Sequence, residues 1–145
     1  MNLSNFAESL SELIMQAGLT PSEFAKHIDC GKGTVSRYLN AQKMPSIPLL
    51  ICMADFFNCS IDYLLGRETE KYDYIFYPCP TFQMRLPKLR EDLHINKYQL
   101  QKRTGITESS IYDWQRGNTN PRLDNLIKIA DTFDCSIDFI LGRVK

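Results

Sequence analysis

Apolar residues recur along the chain in short runs of helical spacing, each closed by a glycine or a turn-forming polar residue. Phe6, Leu10, Leu13, Ile14 and Ala17 share one face of a first helix, with Asn5 as its expected N-cap, Glu8 three residues on and Gly18 as its stop. Thr20, Pro21 and Glu23 then spell a capping box with proline in the favoured first turn. Phe24, Ala25 and Ile28 form the stripe of that second helix, and Asp29-Cys30-Gly31 interrupts it. A third helix is predicted from Lys32 to Leu39 with Val35, Tyr38 and Leu39 inward. Ser46 to Phe57 reads as a fourth, carrying Leu49, Leu50, Met53, Ala54 and Phe57. Ser60 caps a last short helix, Ile61 to Leu65, which Gly66 closes. Five such stripes can bury one small core, although a domain of ~60 residues is marginal.

The pattern then returns. CSIDYLLGR at Cys59–Arg67 reappears as CSIDFILGR at Cys135–Arg143, a shift of 76 residues. The same shift carries Phe6 to Phe82, Leu10 to Leu86, Lys26 to Lys102, Pro45 to Pro121 and Ala54-Asp55 to Ala130-Asp131 without a gap. Two copies make a tandem and not a solenoid. In the second copy Asn96 and Gln99 form the capping box, Gly105 takes the turn held by Asp29, and Thr107 caps the next helix. Ile111 and Trp114 replace Val35 and Tyr38, and Gly117 supplies a C-terminal stop. Leu123, Leu126, Ile127, Ala130 and Phe133 make the fourth helix, and Ser136 to Leu141 the fifth. Pro87 stands where the first copy has Ser11, inside its opening helix. A proline in a helix interior costs about 3 kcal/mol, so this helix is expected to begin near Pro87 and to be the shorter of the two. The expected organisation is a first domain over 1–67, a linker over 68–81 and a second domain over 82–145.

The linker differs from a flexible Gly/Ser tether. Tyr72-Asp73-Tyr74-Ile75-Phe76-Tyr77 is rich in strand formers, Pro78-Cys79-Pro80 turns it, and Phe82 and Met84 alternate beyond. That pattern is compatible with a small β-hairpin. Its aromatics suit either packing on the domains or a homodimer interface. Fourteen residues span at most ~46 Å.

Composition narrows the function. At 145 residues and 43% hydrophobic the chain is globular, and no segment approaches the ~20 apolar residues of a membrane span. No signal-peptide pattern is visible, and a cytoplasmic location is expected. Formal net charge is zero, so a nucleic-acid site must be a local patch. The five cysteines form no CxxC, and Cys52, Cys59 and Cys135 are expected as reduced core residues. His27 and Cys30 offer two metal-ligand types, but a structural zinc site wants four, and no metal or other cofactor is expected. His94 has no nucleophilic or acidic partner at a recognisable spacing, and no enzyme is expected.

Two short helices joined by a three- or four-residue turn, as over Thr20 to Leu39, outline a helix-turn-helix. Both copies resemble the phage-repressor, or XRE, family of helix-turn-helix domains. The resemblance rests on Leu19-Thr20, Glu23, Phe24-Ala25, Thr34-Val35-Ser36-Arg37, Pro45 and Ser60 to Gly66, and on Leu100, Gly105, Ser110-Ile111, Gly117, Asn120-Pro121, Ala130 and Ser136 to Gly142. It implies an all-α fold of two tandem five-helix domains and sequence-specific binding of double-stranded DNA, usually as two units on two half-sites. Carried over by position, it places Lys32, Gly33, Ser36 and Arg37 at base edges and Thr20, Asn40 and Lys43 at phosphates. Lys and Arg suit guanine O6 and N7. In the second copy the base-facing positions hold Glu108, Ser109, Tyr112 and Asp113, with Asn96, Lys97, Arg116 and Arg122 as the positioning set. Carboxylates facing phosphates are unfavourable, although they can accept from cytosine N4. The expected function is a transcriptional regulator, a repressor, working as a homodimer whose first domains read a palindrome. The competing expectation is an antitoxin-like interaction module whose second domain binds a partner chain or holds the dimer.

Overall fold

The computed structural model describes residues 2–145, and among these there are ten helices and no strand. The chain divides into two compact units, one ending at Tyr74 and one running from Ile75 to Lys145. The fold is all-α, with five helices in each unit.

In the first unit, α1 (Leu3–Gln16), α2 (Pro21–His27), α3 (Lys32–Leu39), α4 (Ile47–Phe57) and α5 (Ile61–Leu64) surround a core of Phe6, Leu10, Phe24, Val35, Leu50, Met53 and Leu64, all fully buried. Helix α3 packs on α1 and α2, and α5 on α1 and α4. Phe24 is the hub: it stacks on Phe57 at 5.2 Å and meets Phe56 edge-on at 5.7 Å. The second unit repeats this with α6 (Phe82–Asp92), α7 (Lys97–Thr104), α8 (Glu108–Arg116), α9 (Leu123–Phe133) and α10 (Ile137–Leu141). The edge-to-face pair Phe6–Tyr38 returns as Phe82–Trp114, at 6.2 and 5.6 Å.

The turns repeat as faithfully as the core. Left-handed backbone occurs at Gly18 and His94, Asp29 and Gly105, Ala41 and Gly117, Asn58 and Asp134, and Gly66 and Gly142. Each pair is related by the 76-residue shift. Capping boxes form at both expected places: Thr20 and Glu23 exchange bonds of 3.0 and 3.1 Å, and Asn96 and Gln99 bonds of 2.8 Å.

Several expectations are corrected. Helix α1 is capped by Asn2, whose side chain accepts from the Ser4 amide at 2.9 Å, so Asn5 lies inside the helix. Helix α6 begins at Phe82 and carries Pro87 within it, although at 11 residues it is shorter than the 14 of α1. An earlier start buries Phe82 against Trp114 and lets Arg85 reach the end of α10, which offsets the proline. Pro87 itself is exposed, so its ring meets water and not the core. The hairpin does not form: residues 72–80 contain no strand, and Thr81 caps α6, which turns Phe82 and Met84 into helix. Cys52 is exposed and not a core residue, because it sits on the outer face of α4, while Cys59 is buried and Cys135 half-buried. Ala17 is exposed at the end of α1, and Ile129, which no stripe singled out, is fully buried.

The aromatic stretch is divided between the units. Lys71 donates to the Phe57 carbonyl at 3.2 Å, capping α4, and Tyr74 reaches Glu68 at 3.3 Å. From Ile75 onward the chain belongs to the second unit. There Arg143 and Asp138 pair at 2.7 Å with 0% and 1% of their side chains exposed. The Phe76 ring roofs the Arg143 guanidinium at 3.9 Å, and the Tyr77 amide donates to the Arg143 carbonyl at 2.8 Å. The matching pair of the first unit, Arg67 and Asp62, meets at 2.9 Å with 26% of the arginine side chain exposed.

Candidate nucleic-acid interface

Helix α3 buries Val35 and Tyr38 and leaves Lys32, Gly33, Ser36 and Arg37 exposed. These four recur at i, i+1, i+4 and i+5, which gathers them on one helical face. Asn40 donates to Ser36 at 3.4 Å on that face, one turn further on. Lys43 stands exposed in the loop before α4, and Thr20 at the start of α2. The Thr20 oxygen accepts from the Glu23 amide in the capping box, at the exposed start of α2. All seven first-unit residues thus lie on the surface of α2, α3 and the loop that follows.

The start of α3 breaks local rules of helix stability. Gly31 occupies the cap without a side-chain bond, Lys32 puts a cation at the positive end of the helix dipole, and Gly33 weakens the first turn. A Cβ at Gly33 would meet nothing within 4 Å, so no crowding requires the glycine. A start that is poor for the helix, open, cationic and bare of side chains suits the close approach of an anionic backbone. Helix α8 is built oppositely: Thr107 caps it by accepting from the Ser110 amide at 3.2 Å, and Glu108 complements the dipole.

The second-unit residues are displayed in the same way. Ser109 and Tyr112 are exposed on α8, and Arg116 ends that helix. Asn96 caps α7, Lys97 opens it, and Arg122 caps α9 without a side-chain bond. The structure adds a convergence that spacing alone did not show, because Lys97 lies on a different helix from the other two members. Lys97 and Arg116 both turn onto the Tyr112 ring, at 5.9 and 5.4 Å from its centre. The Tyr112–Arg116 spacing of one helical turn was the only local sign.

A family profile described as helix-turn-helix matches residues 10–64 and 88–140, once on each unit. Over 58 residues, 40% of this chain and 52% of the relative, the sequence is 36% identical to the uncharacterized HTH-type transcriptional regulator YobD of Bacillus subtilis (strain 168). It is 34% identical over 59 residues to the cryptic phage CTXphi transcriptional repressor RstR of Vibrio cholerae, 41% of this chain and 53% of the relative. The chain therefore spans about half the length of these curated relatives. A crystal structure of a transcriptional regulator from Listeria innocua is similar at 25% identity over 78% of this chain and 88% of that one, with a TM-score of 0.41. Two profile matches, each laid over five helices with the expected caps and turns, have one conclusion: the chain belongs to the helix-turn-helix family of phage-repressor, or XRE, type and carries its domain twice in tandem.

Proposed function

We propose that this protein is a sequence-specific transcriptional regulator, a repressor, that reads the major groove of duplex DNA with α3 of its first unit. The observation that carries this is the exposed face of Lys32, Gly33, Ser36 and Arg37 at the uncapped, cationic start of the second helix of a helix-turn-helix. Lys32 and Arg37 supply donors for guanine, and Ser36 reaches a base or a phosphate. Thr20, Asn40 and Lys43 hold the backbone and fix the register. The similarity to a phage transcriptional repressor supports the sign of regulation. It acts in the cytoplasm as a homodimer whose two first units take the halves of a palindrome, since one chain offers only one helix of this chemistry. Helix α8, with Glu108 and Asp113 in place of Lys32 and Arg37, cannot prefer the same bases.

Light scattering alone and with a bound duplex tests the assembly, and a monomer on an asymmetric site would contradict it. The backbone role of Lys43 is tested separately. Lys43→Ala should weaken binding to all duplexes and flatten the dependence of log K on log salt by about one. A Lys43→Ala chain with an unchanged slope would remove that residue from the interface.

A further inference from the structure

The two units close the end of their last helix differently. In the second unit the buried Arg85 reaches from α6 to the end of α10. Its guanidinium donates to the Phe139 carbonyl at 2.6 Å, to the Ile140 carbonyl at 3.1 Å and to the Asp92 carboxylate at 3.2 Å. The Phe139 ring centre lies 5.1 Å from that guanidinium. The arginine stem passes Gly142, where an added Cβ would lie 3.2 Å from Arg85 Cδ. The Phe139 carbonyl thus serves two donors, since the Gly142 amide also reaches it at 3.1 Å.

The first unit repeats the acceptors without the cation. Ser9 stands at the position of Arg85, and Tyr63 at that of Phe139. The Gly66 amide donates to the Tyr63 carbonyl at 3.0 Å, as Gly142 does to Phe139. Where the second unit lays its arginine, the first has a surface cavity of about 260 Å³ lined by Glu8, Ser9, Glu12, Tyr63, Gly66 and Glu68. Its three carboxylates occupy the positions of Met84, Lys88 and Val144. Glu68 is fixed by the Ser60 hydroxyl at 2.9 Å and the Tyr74 hydroxyl at 3.3 Å. Among the described residues, the ion pairs within 4 Å include none to Glu8 or Glu12. Loss of one arginine between the copies therefore coincides with a gain of three carboxylates around the same helix end.

We propose that this cavity binds a small guanidinium compound, an arginine-like cation that takes in the first unit the place Arg85 takes in the second. A guanidinium carries five N–H donors in a planar fork, which suits adjacent helix-end carbonyls and carboxylates together. The face of the Tyr63 ring adds the cation–π contact that Phe139 makes with Arg85. Three carboxylates attract a cation and repel phosphate, so the site is opposite in sign to the α3 face. Small-molecule sites commonly enclose roughly 300–1,000 Å³, and this smaller cavity suits one short stem with its charged head. The site lies on α1 and α5, away from the residues of α2 and α3 assigned to DNA, and does not rest on that assignment.

The test titrates the full, isotope-labelled chain with agmatine, a guanidinium on a short alkyl amine, and with putrescine, which carries an ammonium in the guanidinium's place. Amide resonances report the site. Agmatine should move Ser9, Tyr63 and Gly66 along a saturating curve, while Arg85, Phe139 and Gly142 stay in place because their site already holds its cation. Putrescine, lacking the fork, should bind about tenfold more weakly. Glu8→Gln combined with Glu12→Gln should weaken agmatine about tenfold. Ser9→Arg, which installs the second unit's own cation, should abolish the response. No saturating response in the wild type overturns the site, and so do equal curves for the two amines or an undiminished response in Ser9→Arg. Should Ser9→Arg fail to fold, the double glutamine variant decides, and unweakened agmatine binding there overturns the site. Light scattering separates the source of the guanidinium. Equal mass for wild type and Ser9→Arg supports a free small molecule. An assembly that dissociates only in Ser9→Arg overturns it in favour of an arginine from a second copy.

Discussion

Removing the same carboxylate from each copy should have very different consequences. Asp138 accepts from Arg143 at 2.7 Å with both side chains sealed from solvent, and Phe76 closes the remaining approach. Asp138→Ala leaves a buried guanidinium without its carboxylate, a change that costs about 3–5 kcal/mol. A unit of this size is stable by only on the order of 4–10 kcal/mol. In Asp62→Ala the Arg67 side chain, already 26% exposed, can turn to water, and the loss is about 1–2 kcal/mol. Trp114 is the single tryptophan and is buried in the second unit, so its fluorescence follows that unit alone. Far-UV circular dichroism follows the helices of both. In urea, with m near ~1 kcal/mol/M for so small a unit, Asp138→Ala should lower the Trp114 midpoint by about 3 M or abolish the transition. Asp62→Ala should leave the Trp114 transition in place and modestly weaken the part of the dichroism that Trp114 does not track. Equal losses in the two variants would refute the reasoning from burial.

Three further perturbations follow from the backbone and the caps. Ala41 holds φ 57 where the second copy has Gly117 at φ 74. Ala41→Gly should therefore stabilise the first unit by about 1 kcal/mol in chemical denaturation, and a loss of stability would contradict the strain. Gly117→Ala should destabilise the second by a similar amount, because alanine would take on the same left-handed strain while the exposed end of the Gln83 side chain moves aside. The amide of Thr20, and then its hydroxyl, hold the Glu23 carboxyl below its usual range. Its folded value is thus under its unfolded one, so this contribution is present above the unfolded pKa and fades as pH falls through the folded one. Acid titration of helicity should show that loss in the wild type and not in Glu23→Gln, and identical titrations would remove Glu23 from the effect.

Much of this fold is legible in the sequence because its signals are local. Caps at Thr20, Asn96, Thr107 and Ser60, and stops at Gly18, Gly66 and Gly117, are written within a few residues of the turns they make. The 76-residue repeat then doubles the caps at Thr20 and Asn96 and at Ser60 and Ser136 and the stops at Gly66 and Gly142, while Gly31 stands uncapped in the place of Thr107. What was not legible depends on partners distant in sequence. Pro87 argued for a late start to α6, but Arg85, whose guanidinium reaches the Phe139 and Ile140 carbonyls at 2.6 and 3.1 Å, lies upstream of it. No periodicity reveals that contact. The strand-like composition of residues 72–77 failed for the same reason: Phe76 is used to cover Arg143 and not to pair with a neighbouring strand. At the interface, the residues facing outward on α3 followed from helical spacing once Val35 and Tyr38 were placed inward. The Lys97–Tyr112–Arg116 convergence joins two helices, so no local spacing marks it.

The most direct test of first-unit reading is to select randomised duplex DNA with the wild-type chain and, in parallel, with Arg37→Ala, and to sequence what each retains. The wild type should recover a palindromic motif. The variant should lose preference at one base pair in each half and bind the wild-type motif about 1–3 kcal/mol more weakly. The same motif, retained by both chains with the same affinity, would contradict the assignment of α3 as the reader.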